Sequence, residues 1–243
     1  MPEPLFLFVL LALVVSAFIK GSLGLGFSTI CLAILANVIE LKTAISIVVL
    51  PSLLSNLMVM FDAGNLRISL QTFFWMLVMA IPGMAIGLQL LRQADNTLSV
   101  KILAVVLVIY GIWGWANHKF RIKAERVSSL NPLIGLLTGM VNGATGSQIF
   151  PIMPYLLSLN ISKDVLVQTI NLSFTLCSLI MLGSLYAMNT LDTESILSYS
   201  LGIFPVYAGV WLGNKVRKRI PEQRFRHLVM VLIIVLGLLL LIR

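Results

Sequence analysis

The sequence predicts an all-α integral membrane protein made of two inverted repeats, each a broken, re-entrant helix pair followed by three transmembrane helices. Three observations carry that expectation. Of the 243 residues, 59% are hydrophobic and only 11% are charged, against about 25% charged in an average soluble domain. Apolar runs that fit a ~30 Å hydrocarbon core recur along the whole chain. Two of those runs are interrupted near their middles by glycines and polar residues. The runs lack the polar face that a helix in water needs. No stretch is polar enough or long enough for a separate soluble domain, so residues 1–243 read as one transmembrane domain.

The start, Met1, Pro2, Glu3, Pro4, lacks the basic segment of a secretory signal, and no cleavage is expected. The first broken region follows, at 5–39. It is too long for one span and is interrupted at Lys20, Gly21, Ser22, Leu23, Gly24, Leu25 and Gly26. Clustered glycines with polar neighbours predict an unwound segment, with pieces of half to two-thirds of a span on either side. Three uninterrupted spans come next, at 43–61, 70–91 and 98–116. A basic linker occupies 117–129. The second broken region is 130–159, interrupted at Asn142, Gly143, Ala144, Thr145, Gly146, Ser147 and Gln148. Spans at 165–188, 195–213 and 228–242 complete the chain.

The units repeat. Gly26 and Gly146 are 120 residues apart, whereas Gly83/Gly209, Gly87/Gly213 and Gly111/Gly237 are each separated by 126. The chain therefore divides into one copy at about 1–116 and another at about 130–243. Loop charge decides how the copies are oriented. If each broken region crosses once, the two sides carry 10 and 6 Lys/Arg; if each dips in and returns, they carry 12 and 4. The second arrangement obeys the positive-inside tendency better, and it leaves three full crossings per copy, which inverts one copy against the other.

Composition narrows the chemistry. The net charge is +8, but its basic residues flank spans, where membrane orientation explains them without nucleic acid. Cys31 and Cys177 lie inside apolar runs as small hydrophobes. His118 and His227 sit at span edges. No zinc spacing, nucleotide-binding loop or catalytic triad is present, so no metal, cofactor or catalytic residue is expected. No Asp or Glu lies in a span core, where a cation carrier or proton relay usually places one.

What remains polar is a set suited to anions. Lys20 follows fifteen apolar residues, and its charge must face a cavity or a partner rather than lipid. It either complements a helix end and snorkels or holds an anion. Ser22, Gly24, Gly26, Ser28 and Thr29 in the first break, with Asn142, Gly143, Thr145, Gly146, Ser147 and Gln148 in the second, offer hydroxyls, amides and free backbone N–H groups. Such groups at a half-helix start make an anion site; they equally serve to satisfy an unwound backbone. Gln168, Asn171, Thr175 and Ser178 form one helical stripe, and Ser52, Ser55 and Asn56 a shorter one. Both stripes suit either a substrate path or helix–helix packing. The pairs Gly83/Gly87, Gly135/Gly139 and Gly209/Gly213 suit close helix contacts.

With its glycine-interrupted segments and the prolines around them (Gly143 to Pro151 with Pro154; Gly21 to Gly26 and later Pro51), the chain resembles the TauE/SafE family of sulfite exporters over nearly its whole length. It departs from the family pattern where Asn142, Ala144 and Thr145 replace glycine-rich sequence. A second departure is Cys31, at the position matching Pro151. The resemblance implies a multi-pass permease of a bacterial or archaeal cytoplasmic membrane. Its partners would be the lipid bilayer, a small anion such as sulfite, a sulfonate or a related organic anion, and a coupling ion, proton or sodium. An anion channel of the same architecture and a membrane-embedded enzyme or assembly factor stay open as alternatives, as does the oligomeric state.

Overall fold

The structure, a computed structural model, describes residues 3–23, 26–116, 121–191, 202–217 and 222–242. Gly24 and the first part of the expected 195–213 span lie outside them. The described residues form ten α-helices and no strand: α1 (Glu3–Leu23), α2 (Phe27–Leu35), α3 (Leu41–Ala63), α4 (Leu66–Gln93), α5 (Asn96–Trp115), α6 (Val127–Thr145), α7 (Ile152–Leu157), α8 (Lys163–Ala187), α9 (Ile203–Arg217) and α10 (Glu222–Ile242). Five of them (α1, α3, α4, α5 and α8) are long and apolar enough to cross a membrane. Shorter apolar stretches cover Ile203–Gly213 and His227–Ile242. Large apolar side chains such as Phe61, Leu7 and Ile242 are 76%, 62% and 84% exposed, an outer surface suited to lipid rather than water. The chain is a multi-pass membrane protein.

The breaks fall later than the sequence suggests. Lys20, Gly21 and Ser22 are helical, in the last turns of α1, and Asn142, Gly143, Ala144 and Thr145 end α6. The pieces before the breaks are full-length helices of 21 and 19 residues, and only α2 and α7, with 9 and 6, are short. The reason is packing. Glycine inside a membrane helix need not unwind it, because the backbone has no water to turn to. Here the glycines let helices touch backbone to backbone. Gly135, Gly139 and Gly143 of α6 lie against the α4 backbone at Met76, Ala80 and Met84, and Gly83 and Gly87 of α4 lie against Leu136 and Met140. A methyl at Gly139 would meet Met84 N at 2.7 Å. Gly209 and Gly213 of α9 seat in the same way against Val14 and Phe18 of α1, with Gly21 against Val210.

The pairings are reciprocal. Helix α4 packs on α6 and α9 on α1, while α5 packs on α10 and α3 on α8. Within the α5–α10 pair, Gly114 and Gly111 lie beside Met230 and Ile234, and Gly237 lies beside Val108 and Ala104. Positions rise along one helix as they fall along the other, so these two helices are antiparallel.

The second broken region returns to where it begins. Ile122 N–H donates to Ser158 O at 3.0 Å. The Tyr155 hydroxyl of α7 reaches Asn131 Oδ1 at 2.7 Å and Val127 O at 3.2 Å in the first turns of α6. In the first region Cys31 of α2 lies beside Ser16 of α1, which likewise folds the short helix back along the long one.

Candidate functional site

Two left-handed glycines turn the chain at the breaks. Gly26, with φ 93°, caps the N-terminus of α2, and Gly146, with φ 70°, closes the C-terminus of α6. Any residue with a Cβ is strained at such angles. The turns bring the two breaks together: Ser28 Oγ donates to Gly146 O at 3.0 Å, and Thr29 Oγ1 and Ser147 Oγ share a hydrogen bond of 3.1 Å. Ile30 N–H donates to Gly26 O at 3.0 Å. The N–H groups of Phe27, Ser28 and Thr29 precede that bond, at the positive end of the α2 dipole.

Lys20 is 3% exposed and points to this junction. Its ammonium donates to Ser55 Oγ at 2.9 Å and Asn56 Oδ1 at 2.6 Å, both on α3. Both partners are neutral oxygens. An ammonium has three protons, two of which these bonds use, and Lys20 lines a cavity with Ser28, Asn56, Gln148, Asn171 and Phe174.

Gln148 joins the breaks to the helices around them. Its Oε1 accepts from Ser52 Oγ and Asn56 Nδ2, each at 3.4 Å, and its Nε2 donates to Ser178 Oγ at 2.6 Å and Phe174 O at 3.4 Å. One side chain thus bridges α3 and α8 at the level of Lys20. Gln148 and Ser28 also line a second cavity, with Asn142, Gly146, Ser52 and an apolar wall that includes Val49 and Met181.

The candidate residues therefore divide. Lys20, Gly26, Ser28, Gln148 and Asn171 surround the first cavity, and Asn142 and Gly146 line the second. Ser147 holds Thr29. Ser22 instead donates to Phe18 O at 2.9 Å and Gly213 O at 3.2 Å, in the α1–α9 seam. Gly143 serves the α4–α6 seam. The Thr145 hydroxyl donates to Val141 O at 2.6 Å and accepts from Ser147 N at 3.1 Å, satisfying the turn's own backbone.

Sequence reasoning marked Ser52, Ser55 and Asn56 as a stripe but not as the partners of Lys20. A buried charge that needs oxygens was the available signal. Phe27 and Phe174, apolar walls of the first cavity, carried no signal among so many apolar residues. Among the described residues no cluster of His, Cys, Asp and Glu suited to a metal ion occurs.

Among the described residues, the buried Lys20 ammonium meets only neutral oxygens, beside a small cavity and the start of α2. No curated protein and no solved structure matches the chain. The family model described as sulfite exporter TauE/SafE matches residues 8–240; the chain belongs to that family of membrane transporters.

Proposed function

We propose that this protein is a secondary transporter for a small anion such as sulfite, a sulfonate or a related organic anion, bound between the two helix breaks. The observation that carries the proposal is Lys20: a buried ammonium with two neutral partners and, among the described residues, no paired carboxylate. Burying an unpaired charge costs several kcal/mol, and a Lys at mid-membrane costs about 2.5–3.5 kcal/mol on insertion scales. Binding an anion offsets that cost. The second amide proton of Asn171, whose first goes to Val167 O, and the start of α2 add donors without adding charge.

The two copies are inverted in this reading. Support comes from the α5–α10 pair: equivalent helices that cross antiparallel are related by a two-fold axis perpendicular to them, in the membrane plane. The reciprocal α4–α6 and α1–α9 seams and the return of 122–158 to its starting point agree with re-entrant breaks. The membrane is the cytoplasmic membrane of a prokaryote, and the driving ion a proton or sodium.

The test is uptake into proteoliposomes of sulfite, sulfoacetate, taurine, thiosulfate, oxalate and pyruvate under defined proton and sodium gradients. Saturable flux of one anion, driven by one gradient, is expected. Non-saturating flux that follows only the membrane potential makes the protein a channel, and no flux of any anion removes the reading. Topology has its own check: cysteines placed at Lys123 and Lys215 are expected to label from the same side, and labelling from opposite sides breaks the inverted arrangement.

A further inference from the structure

The two cavities are related to one another. Lys20 and Asn142 are 122 residues apart, as are Val49 and Asn171, and Ser52 and Phe174; Gly26 and Gly146, and Ser28 and Gln148, are 120 apart. In each pair, one member lines the first cavity and the other lines the second, while Ser28 and Gln148 line both. The slip from 122 to 120 occurs at the turns: Leu23 to Gly26 takes two residues more than Thr145 to Gly146. The cavities are therefore mates under the same exchange that relates α1 to α6 and α3 to α8, and they meet at Gln148.

Their chemistry differs at three of these positions: Asn171 faces the first cavity where Val49 faces the second, Phe174 where Ser52 does, and only the third changes the charge. Where the first cavity has the Lys20 ammonium, the second has the Asn142 amide. Asn142 is 1% exposed, and its Nδ2 has no hydrogen-bond partner. A buried donor left unmade is costly, and native structures leave few of them. The other polar groups around the second cavity are already engaged: Gly146 O by Ser28, and Gln148 Oε1 by Ser52 and Asn56. None of its lining residues is acidic. Asn142 thus brings an unused N–H donor to the wall of a cavity with no acidic lining residue, which suits an anion better than a cation.

We propose that the Asn142 cavity is a second, neutral anion subsite, the symmetry mate of the Lys20 cavity, and that the anion passes between the two beside Gln148. This rests on the transport reading above. The pairing has a physical use. A site with a full charge holds the anion; a mate with only an amide donor releases it. An anion that met a lysine on both sides would leave slowly from both.

The experiment measures sulfite binding to the purified full chain by equilibrium dialysis, and sulfite flux in proteoliposomes, for the parent, Asn142→Leu and Asn142→Lys. The parent is expected to bind one sulfite per chain. Asn142→Leu is expected to keep Kd within about twofold while maximal flux falls about tenfold, because capture persists and the exit subsite is lost. Asn142→Lys is expected to bind close to two sulfites per chain and to release them about tenfold more slowly, a gain that misfolding does not imitate. Parental flux in Asn142→Leu, or binding and flux lost together in that variant, overturns the subsite. So does one sulfite per chain in Asn142→Lys. A parent that neither binds nor carries sulfite fails at the transport reading itself and takes this inference with it.

Discussion

The first broken region brings a lysine to the junction and the second brings an asparagine, although the two are assembled from the same parts. Each has a full-length helix whose glycines seat a partner helix, a left-handed glycine at the turn, and a short helix folded back. What differs is which polar groups are already used. In the first region the ammonium takes two oxygens from α3 and lines the cavity. In the second, Thr145 closes its own turn, and Gln148 reaches out to α3 and α8. On the transport reading proposed above, the comparison teaches that shared architecture sets where the two cavities lie, while single substitutions within it set the chemistry each offers.

The largest expected effect tests the charged half. Lys20→Gln keeps volume and polarity but removes the charge. A charge-assisted hydrogen bond contributes about 1.5–3 kcal/mol, so the Kd for the transported anion is expected to rise roughly 10-fold to 150-fold. Lys20→Arg should retain part of the affinity, since charge persists while shape changes. A well-folded Gln variant with parental affinity would reduce Lys20 to a helix-packing role and erase the difference between the two regions.

Next comes Gln148→Leu, which touches both regions at once. The substitution removes the bonds to Ser178 and to Asn56 and leaves buried partners unsatisfied, at a cost of about 1–3 kcal/mol. Both thermal stability in detergent and flux are expected to fall, with flux down about tenfold. Gln148→Glu separates the two effects, since it keeps acceptors for Ser52 and Asn56 but places a negative charge beside the anion. If Glu carries anion as well as Gln does, Gln148 does not face the path.

The sequence made some of this legible and hid the rest for identifiable reasons. The spans expected at 43–61, 70–91, 98–116 and 165–188 followed from apolar length, whereas the full length of α1 and α6 did not; Gly26 and Gly146 stood inside the expected breaks because both the period and the residue type marked them. The fate of Gly21 and Gly143 was not readable. A glycine that unwinds a helix and a glycine that admits a neighbouring backbone look alike in one dimension, and only the position of α9 or α4 separates them. Lys20 stood out because a charge among apolar residues demands an explanation. Gln148 did not stand out above its neighbours, because its role depends on four residues from two other helices arriving around it.

A smaller effect tests the seams that hold the regions in place. Gly139→Ala pushes a methyl into the α4 backbone, where main chain rather than a flexible side chain blocks it. Overpacking of this kind costs about 1–3 kcal/mol. A methyl at Gly183 of α8 would meet nothing within 4 Å, so Gly183→Ala is expected to change stability by less than about 0.5 kcal/mol. A Gly139→Ala variant as stable as Gly183→Ala would mean that the α4–α6 seam does not constrain position 139.

The smallest effect separates a residue that closes a turn from one that meets an anion. The Thr145 hydroxyl has two partners, both backbone groups of its own segment: Val141 O and Ser147 N. Nothing in that arrangement leaves a donor for a ligand. Thr145→Val keeps the shape, gives up both bonds, and leaves Ser147 N–H without its acceptor. Side-chain hydrogen bonds within membrane proteins average about 0.6 kcal/mol. A loss of stability near that size is therefore expected, with the Kd for the anion within about twofold of the parent. Thr145→Ser, which restores the hydroxyl, is expected to recover stability. If Thr145→Val instead raises Kd by tenfold or more while stability is unchanged, the hydroxyl turns toward the anion during transport. The second region would then supply a ligand from its turn as well as from Asn142 and Gln148, and the contrast with the first region would narrow to the charge alone.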